Sequence, residues 1–347
     1  MGVLPYIGGL GLITLTVYIM VVGRDLIVPF LISVVIWYLI NTLSDYYYKI
    51  KIGAFRFPKA LCFITSLITT IVAIYLIVEM IGNNIADVRA AAPVYQENLL
   101  NLSDRVFNLL GIENQPNLSQ LIGQIDLRPF ISNIAGTMAS IAGNAGLILI
   151  YVLFLFLEQA SFSPKLEALL NGSKHSGTVQ EIIHTIHEKI ETYVAIKTFV
   201  SILTGTACYF VLLMNDVDYA SFWAFIIFLL NYIPTVGSML AVLFPALLSL
   251  VQFPTFTPFL IVLTSLVCIQ VAVGNILEPK LMGNSLNLSP LVVMLSLAIW
   301  GSIWGVAGMF LSVPFTVILM IIFSEFPKTR PIAILLSQNG KIGTSKK

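Results

Sequence analysis

The sequence is short of charge. Lys, Arg, Asp and Glu make up 10% of its 347 residues, against about a quarter in an average soluble domain. So few charges cannot solvate a globule of this length. A formal net charge of +1 also gives no signal for nucleic acid or another charged partner. Cysteine is scarce as well. Cys62, Cys208 and Cys268 each lie in an apolar run without C-x-x-C spacing, which argues against a disulfide framework or a zinc site. They read as small apolar residues in helices.

Catalytic signatures are missing in the same way. There is no GxSxG elbow, no GxxxxGK[ST] phosphate loop, no HExxH and no pair of intramembrane aspartates. The chain is therefore not read as an enzyme, and no cofactor is expected. His184, His187, Glu188 and Glu191 fall on one side of a helix by their spacing, a pattern able to hold a metal. A solvated polar face opposite Val179, Ile182, Ile186, Ile190 and Tyr193 explains them more simply. No metal is assigned.

What is abundant is uncharged sequence, in stretches 1–23, 26–44, 60–78, 129–157, 198–215, 219–277 and 281–324. About 20 apolar residues cross the roughly 30 Å of hydrocarbon in a bilayer. Within it every backbone N–H and C=O needs a partner, which selects helices. The expected fold is all-α: a polytopic integral membrane protein with about eight membrane segments. The first stretch lacks a basic start and a small-residue cleavage pattern, so it reads as a retained span.

The last two stretches exceed one helix each. Asn231-Tyr-Ile-Pro234-Thr-Val-Gly237 interrupts the first of them, where Pro234 withholds a donor and Gly237 tolerates a turn. Pro254 and Pro258 mark a second break. Residues 289–324 would span about 54 Å as one helix, so a bend is expected at Gly301, Gly305 and Gly308. Ser289-Pro290 reads as an N-cap followed by proline at the first helical position. Broken or re-entrant helices are thus expected near Pro234 and across Gly301–Gly308.

Basic residues set the orientation. Lys49, Lys51, Arg56 and Lys59 crowd one loop. Lys165, Lys174, Lys189 and Lys197 crowd another, and Lys328, Arg330, Lys341, Lys346 and Lys347 the C-terminal end. Placing all three inside divides the chain into six parts. Residues 1–81 hold spans one to three, and 82–133 form an amphipathic helical segment outside the bilayer. Residues 134–157 are span four, and 158–197 a cytoplasmic amphipathic segment that lies at the interface and leads into the fifth span. A C-terminal membrane domain covers 198–326, with a cytoplasmic tail over 327–347. From Ile81 to Leu109 apolar residues recur in alternating steps of four and three, a coiled-coil-like seam. It suits contact within one subunit or with a neighbour.

Polar residues inside spans are costly and so are functional candidates. The candidate pathway residues are Asn231, Pro234, Gly237, Gln270, Asn275, Glu278 and Pro279. Asn275 and Glu278 share a helix face, and Glu278-Pro279-Lys280 brings a carboxylate and an ammonium to the end of a span. That pair reads either as an interfacial anchor or as a gating or substrate group. Gly283, Gly301, Gly305, Gly308 and Pro314 are the candidates for helix bending or packing.

Several motifs lie in order across 191–326: Tyr193-Val-Ala-Ile-Lys197-Thr198, Thr204-Gly205, Asn231-Tyr-Ile-Pro-Thr-Val-Gly237-Ser238 and Gly274-Asn-Ile-Leu-Glu-Pro279-Lys-Leu-Met-Gly283. Leu291-Val-Val-Met-Leu-Ser296, Trp300-Gly301 and Gly305-Val-Ala-Gly308-Met-Phe-Leu-Ser-Val-Pro314 complete the set. Together they resemble the autoinducer-2 exporter family of bacterial membrane permeases. The first half is similar only in layout. The resemblance implies about eight membrane segments, a homo-oligomer in the bacterial inner membrane, and export of a small polar signalling molecule, autoinducer-2. Other members of that family look like sodium(lithium)/proton antiporters. An antiporter needs a titratable group, for which Glu278 and Glu79 are the candidates. A non-transporting membrane scaffold assembled through the 81–109 seam is the third reading. The expected partners are the lipid bilayer, a small polar solute and further copies of the chain, with no nucleic acid.

Overall fold

A computed structural model describes residues 4–49, 58–76, 79, 97–98, 143–170, 176–283 and 286–342. They are helical almost throughout, and six helices are long and apolar enough to cross a membrane. The all-α, polytopic reading holds. The seam from Ile81 to Leu109 and nearly all of 82–133 lie outside the described residues. The chain divides into two compact units.

The first unit comprises Met1–Ser66, Ala145–Ile196 and Met282–Lys347. It opens with α1 (Leu4–Val22) and α2 (Arg24–Lys49), which meet at Gly23. Arg24 and Asp25, expected in a turn, form the first turn of α2 and pair at 3.5 Å. Helix α3 (Lys59–Leu76) starts in this unit. Helix α4 (Ala145–Leu170) runs well past residue 157, the expected end of the fourth span. The Phe63 ring meets Phe156 edge-on.

Helix α5 (Ser176–Met214) has 39 residues. It joins into one rod what the sequence suggested as an interfacial segment followed by a span, since no proline interrupts it. Ile190, Tyr193 and Val194 are buried in a core with Val313, Val317, Met320, Ile321 and Ala333, so protein covers that apolar face.

Helix α10 (Pro290–Glu325) is a hairpin. Gly305 breaks it with φ +62° and ψ −137°, a conformation that disfavours any side chain. Ser296 Oγ on the first arm lies 2.9 Å from the Ser312 carbonyl and 2.5 Å from Thr316 Oγ1 on the second. Trp300 stacks on Phe315 at 4.7 Å. A β-carbon on Gly308 would sit 1.9 Å from the Trp300 carbonyl oxygen, which explains the residue chosen there. Lipid is as apolar as the side chains, so such close van der Waals approach and polar pairing hold membrane helices together. Pro290 opens the first arm, as expected, although Ser289 makes no side-chain cap. Within the expected tail, α11 (Arg330–Leu336) follows. It is tied back by hydrogen bonds from Ser289 N to Leu336 O and from Asn287 Nδ2 to Lys341 O.

The second unit comprises Leu67–Asn144 and Lys197–Leu281. After the C-terminal half of α5, Gln252 braces the turn: its Nε2 donates to Asp216 O and its Oε1 accepts from Asp218 N. Helices α6 (Ala220–Leu230) and α7 (Val236–Gln252) then form a second hairpin, with Trp223 and Phe244 facing across it. Helix α8 (Phe256–Gln270) follows the break at Pro254. Its chain continues through a π-helical segment, Val271–Leu277, into α9 (Glu278–Met282). Leu212, Ile227, Val262 and Leu266 are fully buried at the centre of this unit.

Candidate functional site

The break between α6 and α7 is built by a few residues. Helix α6 tightens at its end, with Tyr232 N and Ile233 N bonding three residues back. Pro234 then ends the ladder. Thr235 adopts φ +59° and ψ −59°, and Val236 N reaches the Pro234 carbonyl at 2.6 Å. That is a γ-turn of the rare, strained hand. Strain of this kind gathers where structure serves function. Gly237 restarts the chain against the end of α6. A β-carbon there would lie 1.8 Å from the Leu230 carbonyl oxygen.

The second element is the π segment. Proline at 279 has no N–H, so the carbonyl four residues earlier loses its helical partner. Widening the turn accommodates this: Glu278 N donates to Val273 O, five residues back. Single-turn π bulges recur at functional sites. The sequence suggested that Glu278 and Pro279 close the span; instead the helix carries on to Met282.

The two elements wall a cleft of about 640 Å³. Its polar lining is Lys197, Asn231, Thr235, Ser238, Gln270, Asn275 and Glu278, completed by Pro234, Gly274 and apolar side chains such as Val242 and Leu263. Glu278 does not pair with Lys280. Its Oε1 lies 2.5 Å from Lys197 Nζ, and the two side chains are 18% and 5% exposed. Lys197 had been counted among loop charges, yet it is buried on α5. One turn on, Ser201 Oγ accepts from Asn231 Nδ2 at 3.1 Å. Thr198 and Tyr232 share a hydroxyl contact at 2.7 Å. Thr198 and Ser201 of α5, three residues apart, thus face the broken helix, and Lys197 faces the turn after the π segment. Gln270 is 8% exposed, and neither atom of its amide has a hydrogen-bond partner.

Of the residues picked out as a pathway, Asn231, Pro234, Gln270, Asn275 and Glu278 line this cleft. Gly237 and Pro279 shape its walls. Lys197, Ser201 and Thr198 were missed as site residues; a lysine and two hydroxyls at the start of the apolar second half of α5 were the available signal. Gly283, at φ +50°, ends α9. Gly301, Gly305, Gly308 and the buried Pro314 belong to the α10 hairpin of the other unit.

His187 contacts the Tyr38 hydroxyl through Nδ1 at 3.1 Å and Glu191 through Nε2 at 3.8 Å. Among the described residues no three His, Cys, Asp or Glu side chains gather as a metal site.

A family model described as "AI-2E family transporter" matches residues 10–328. The AI-2 transport protein TqsA of Escherichia coli K12 is 30% identical over 326 residues, covering 92% of this chain and 91% of that protein. A putative transport protein of Haemophilus influenzae is 29% identical, covering 90% of each chain. One of Borreliella burgdorferi is 30% identical over 249 residues, covering 70% of this chain and 67% of its own.

Proposed function

The chain belongs to the AI-2E family of transporters, a multi-pass membrane permease, and from that premise we propose that it exports a small polar signalling molecule, autoinducer-2, through the cleft between the broken helix and the π segment. The ion pair between buried Lys197 and partly buried Glu278 in the wall of that cleft carries the reading. Polar groups in hydrocarbon persist where they serve a passing solute. Non-helical backbone at membrane depth is tolerated where it lines a cavity.

The proposal includes a homo-oligomer and a cytoplasmic C-terminus. Helix α6, with 11 residues, is about 16 Å long. That supports re-entry of the α6–α7 pair on one side of the membrane. With α8 to α9 as the return crossing, the chain comes back to the side from which α5 sets out.

Extracellular autoinducer-2 is the direct test. Cells lacking the chain should retain the molecule and overproducing cells should release more. Pro234→Ala and Glu278→Gln should each reduce release. Unchanged release in both variants removes the cleft from the pathway.

The same ion pair favours a second reading, a sodium(lithium)/proton antiporter, because Glu278 is a partly buried titratable group lining a cleft. Sodium-dependent proton flux in vesicles that disappears in Glu278→Ala would establish it.

A further inference from the structure

We propose that Gln270 is the solute-recognition residue of this cleft, and that the solute it selects is an uncharged molecule carrying adjacent hydroxyl or carbonyl groups. The inference rests on the transport reading and specifies its substrate class.

Gln270 occupies the last turn of α8, directly before the π segment. It lines the cleft and is 8% exposed, and neither buried atom of its amide has a hydrogen-bond partner among the described residues. An amide taken from water into an apolar medium without partners costs several kcal/mol, about 4–8 on a cyclohexane scale. Buried amides are therefore nearly always satisfied within the fold. An unsatisfied one on a residue that lines a cleft is placed to take its partner from a solute that enters, once the side chain turns toward it. Gly274 keeps the approach clear, since even a β-carbon there would come to 3.7 Å of Gln270 Oε1.

The chemistry of the partner follows from the groups present. A carboxamide offers a carbonyl acceptor and an N–H donor side by side. Two neighbouring oxygens, one of them a hydroxyl, match that pattern. The other wall offers no net charge to bind an ion. Lys197 and Glu278 neutralise each other at 2.5 Å, so a cation or an anion meets dipoles there, with no unbalanced counter-charge. The cleft volume of about 640 Å³ suits a small molecule.

A purely structural glutamine and a recognition glutamine predict opposite results. An amide without protein partners stabilises nothing, so Gln270→Leu should leave the thermal midpoint of the purified full-length chain unchanged or raised. A ligand that binds the folded state raises that midpoint in proportion to its saturation. Three probes separate the chemistries: autoinducer-2, erythritol as a second uncharged polyol, and lithium chloride. Wild type should be stabilised by an uncharged probe and not by lithium. Gln270→Leu should need at least tenfold more of that probe for half-saturation, with Gln270→Asn between the two. Equal half-saturation in Gln270→Leu, stabilisation by lithium alone, or no shift with any probe overturns the inference. If erythritol acts through Gln270 and autoinducer-2 does not, the inference stands and the autoinducer-2 assignment falls. If autoinducer-2 release depends on the chain but Gln270→Leu binds like wild type, the inference alone falls.

Discussion

Lys197 Nζ and Glu278 Oε1 lie 2.5 Å apart although they are 81 positions apart in sequence. Helix α5 supplies the ammonium, and the turn after the π segment supplies the carboxylate. Both side chains are largely buried, so each is the other's principal compensation in a medium of low dielectric.

That relationship gives a mutational signature. Removing one member of a buried pair strands a charge, at a cost of about 3–5 kcal/mol, whereas replacing both with apolar residues of similar volume is often neutral. Lys197→Met and Glu278→Met should each lower the thermal midpoint sharply. The double variant should recover most of the loss while remaining defective in export. Additive losses in the double variant would show that the two charges are not coupled.

The hairpins make a second prediction, from backbone approach alone. A methyl on Gly237 would meet the Leu230 carbonyl, and one on Gly308 the Trp300 carbonyl, both closer than 2 Å. Neither obstacle is a movable side chain. Gly237→Ala and Gly308→Ala should each destabilise by about 1–3 kcal/mol or reduce folded yield. Gly301→Ala meets only the flexible Met309 side chain, at 3.0 Å, and should be milder. Thermal melts of the purified proteins rank the three.

The π segment supplies a third. Pro279→Ala restores a backbone donor where the helix now lacks one. The turn can then close as an ordinary α-helix, altering the angular register between Gln270 and Glu278. Stability should stay level or rise while export falls. Wild-type export in Pro279→Ala would mean that the widened turn serves no purpose in transport.

Sequence disclosed the breaks in this fold because their causes are local. A proline without a donor at 234, and glycines at 301, 305 and 308 in a run too long for a bilayer, act within a turn or two of themselves. The ion pair was hidden because it depends on which helices meet, and the sequence between its two members carries no trace of that. Lys197 also resembled the loop lysines that precede it, although α5 continues unbroken through it. Gln270 could be marked as a polar residue in a span, but its lack of partners is a property of the packed structure. The length of α5 was legible in principle: Gly205 is its one glycine after the first turn and no proline interrupts it, but the switch from mixed to apolar sequence reads as a boundary.

The central claim is that the wall bearing Asn275 and Glu278 faces a hydrated solute path inside the membrane. It is tested most directly by cysteine accessibility in a chain whose three native cysteines have been replaced. Asn275 lines the cleft, whereas Phe199 is 56% exposed on an apolar helix surface outside it. A membrane-impermeant cationic thiosulfonate should modify Asn275→Cys in intact membranes and leave Phe199→Cys unreacted, and autoinducer-2 should slow the reaction. Asn275→Cys as inert as Phe199→Cys would contradict the account.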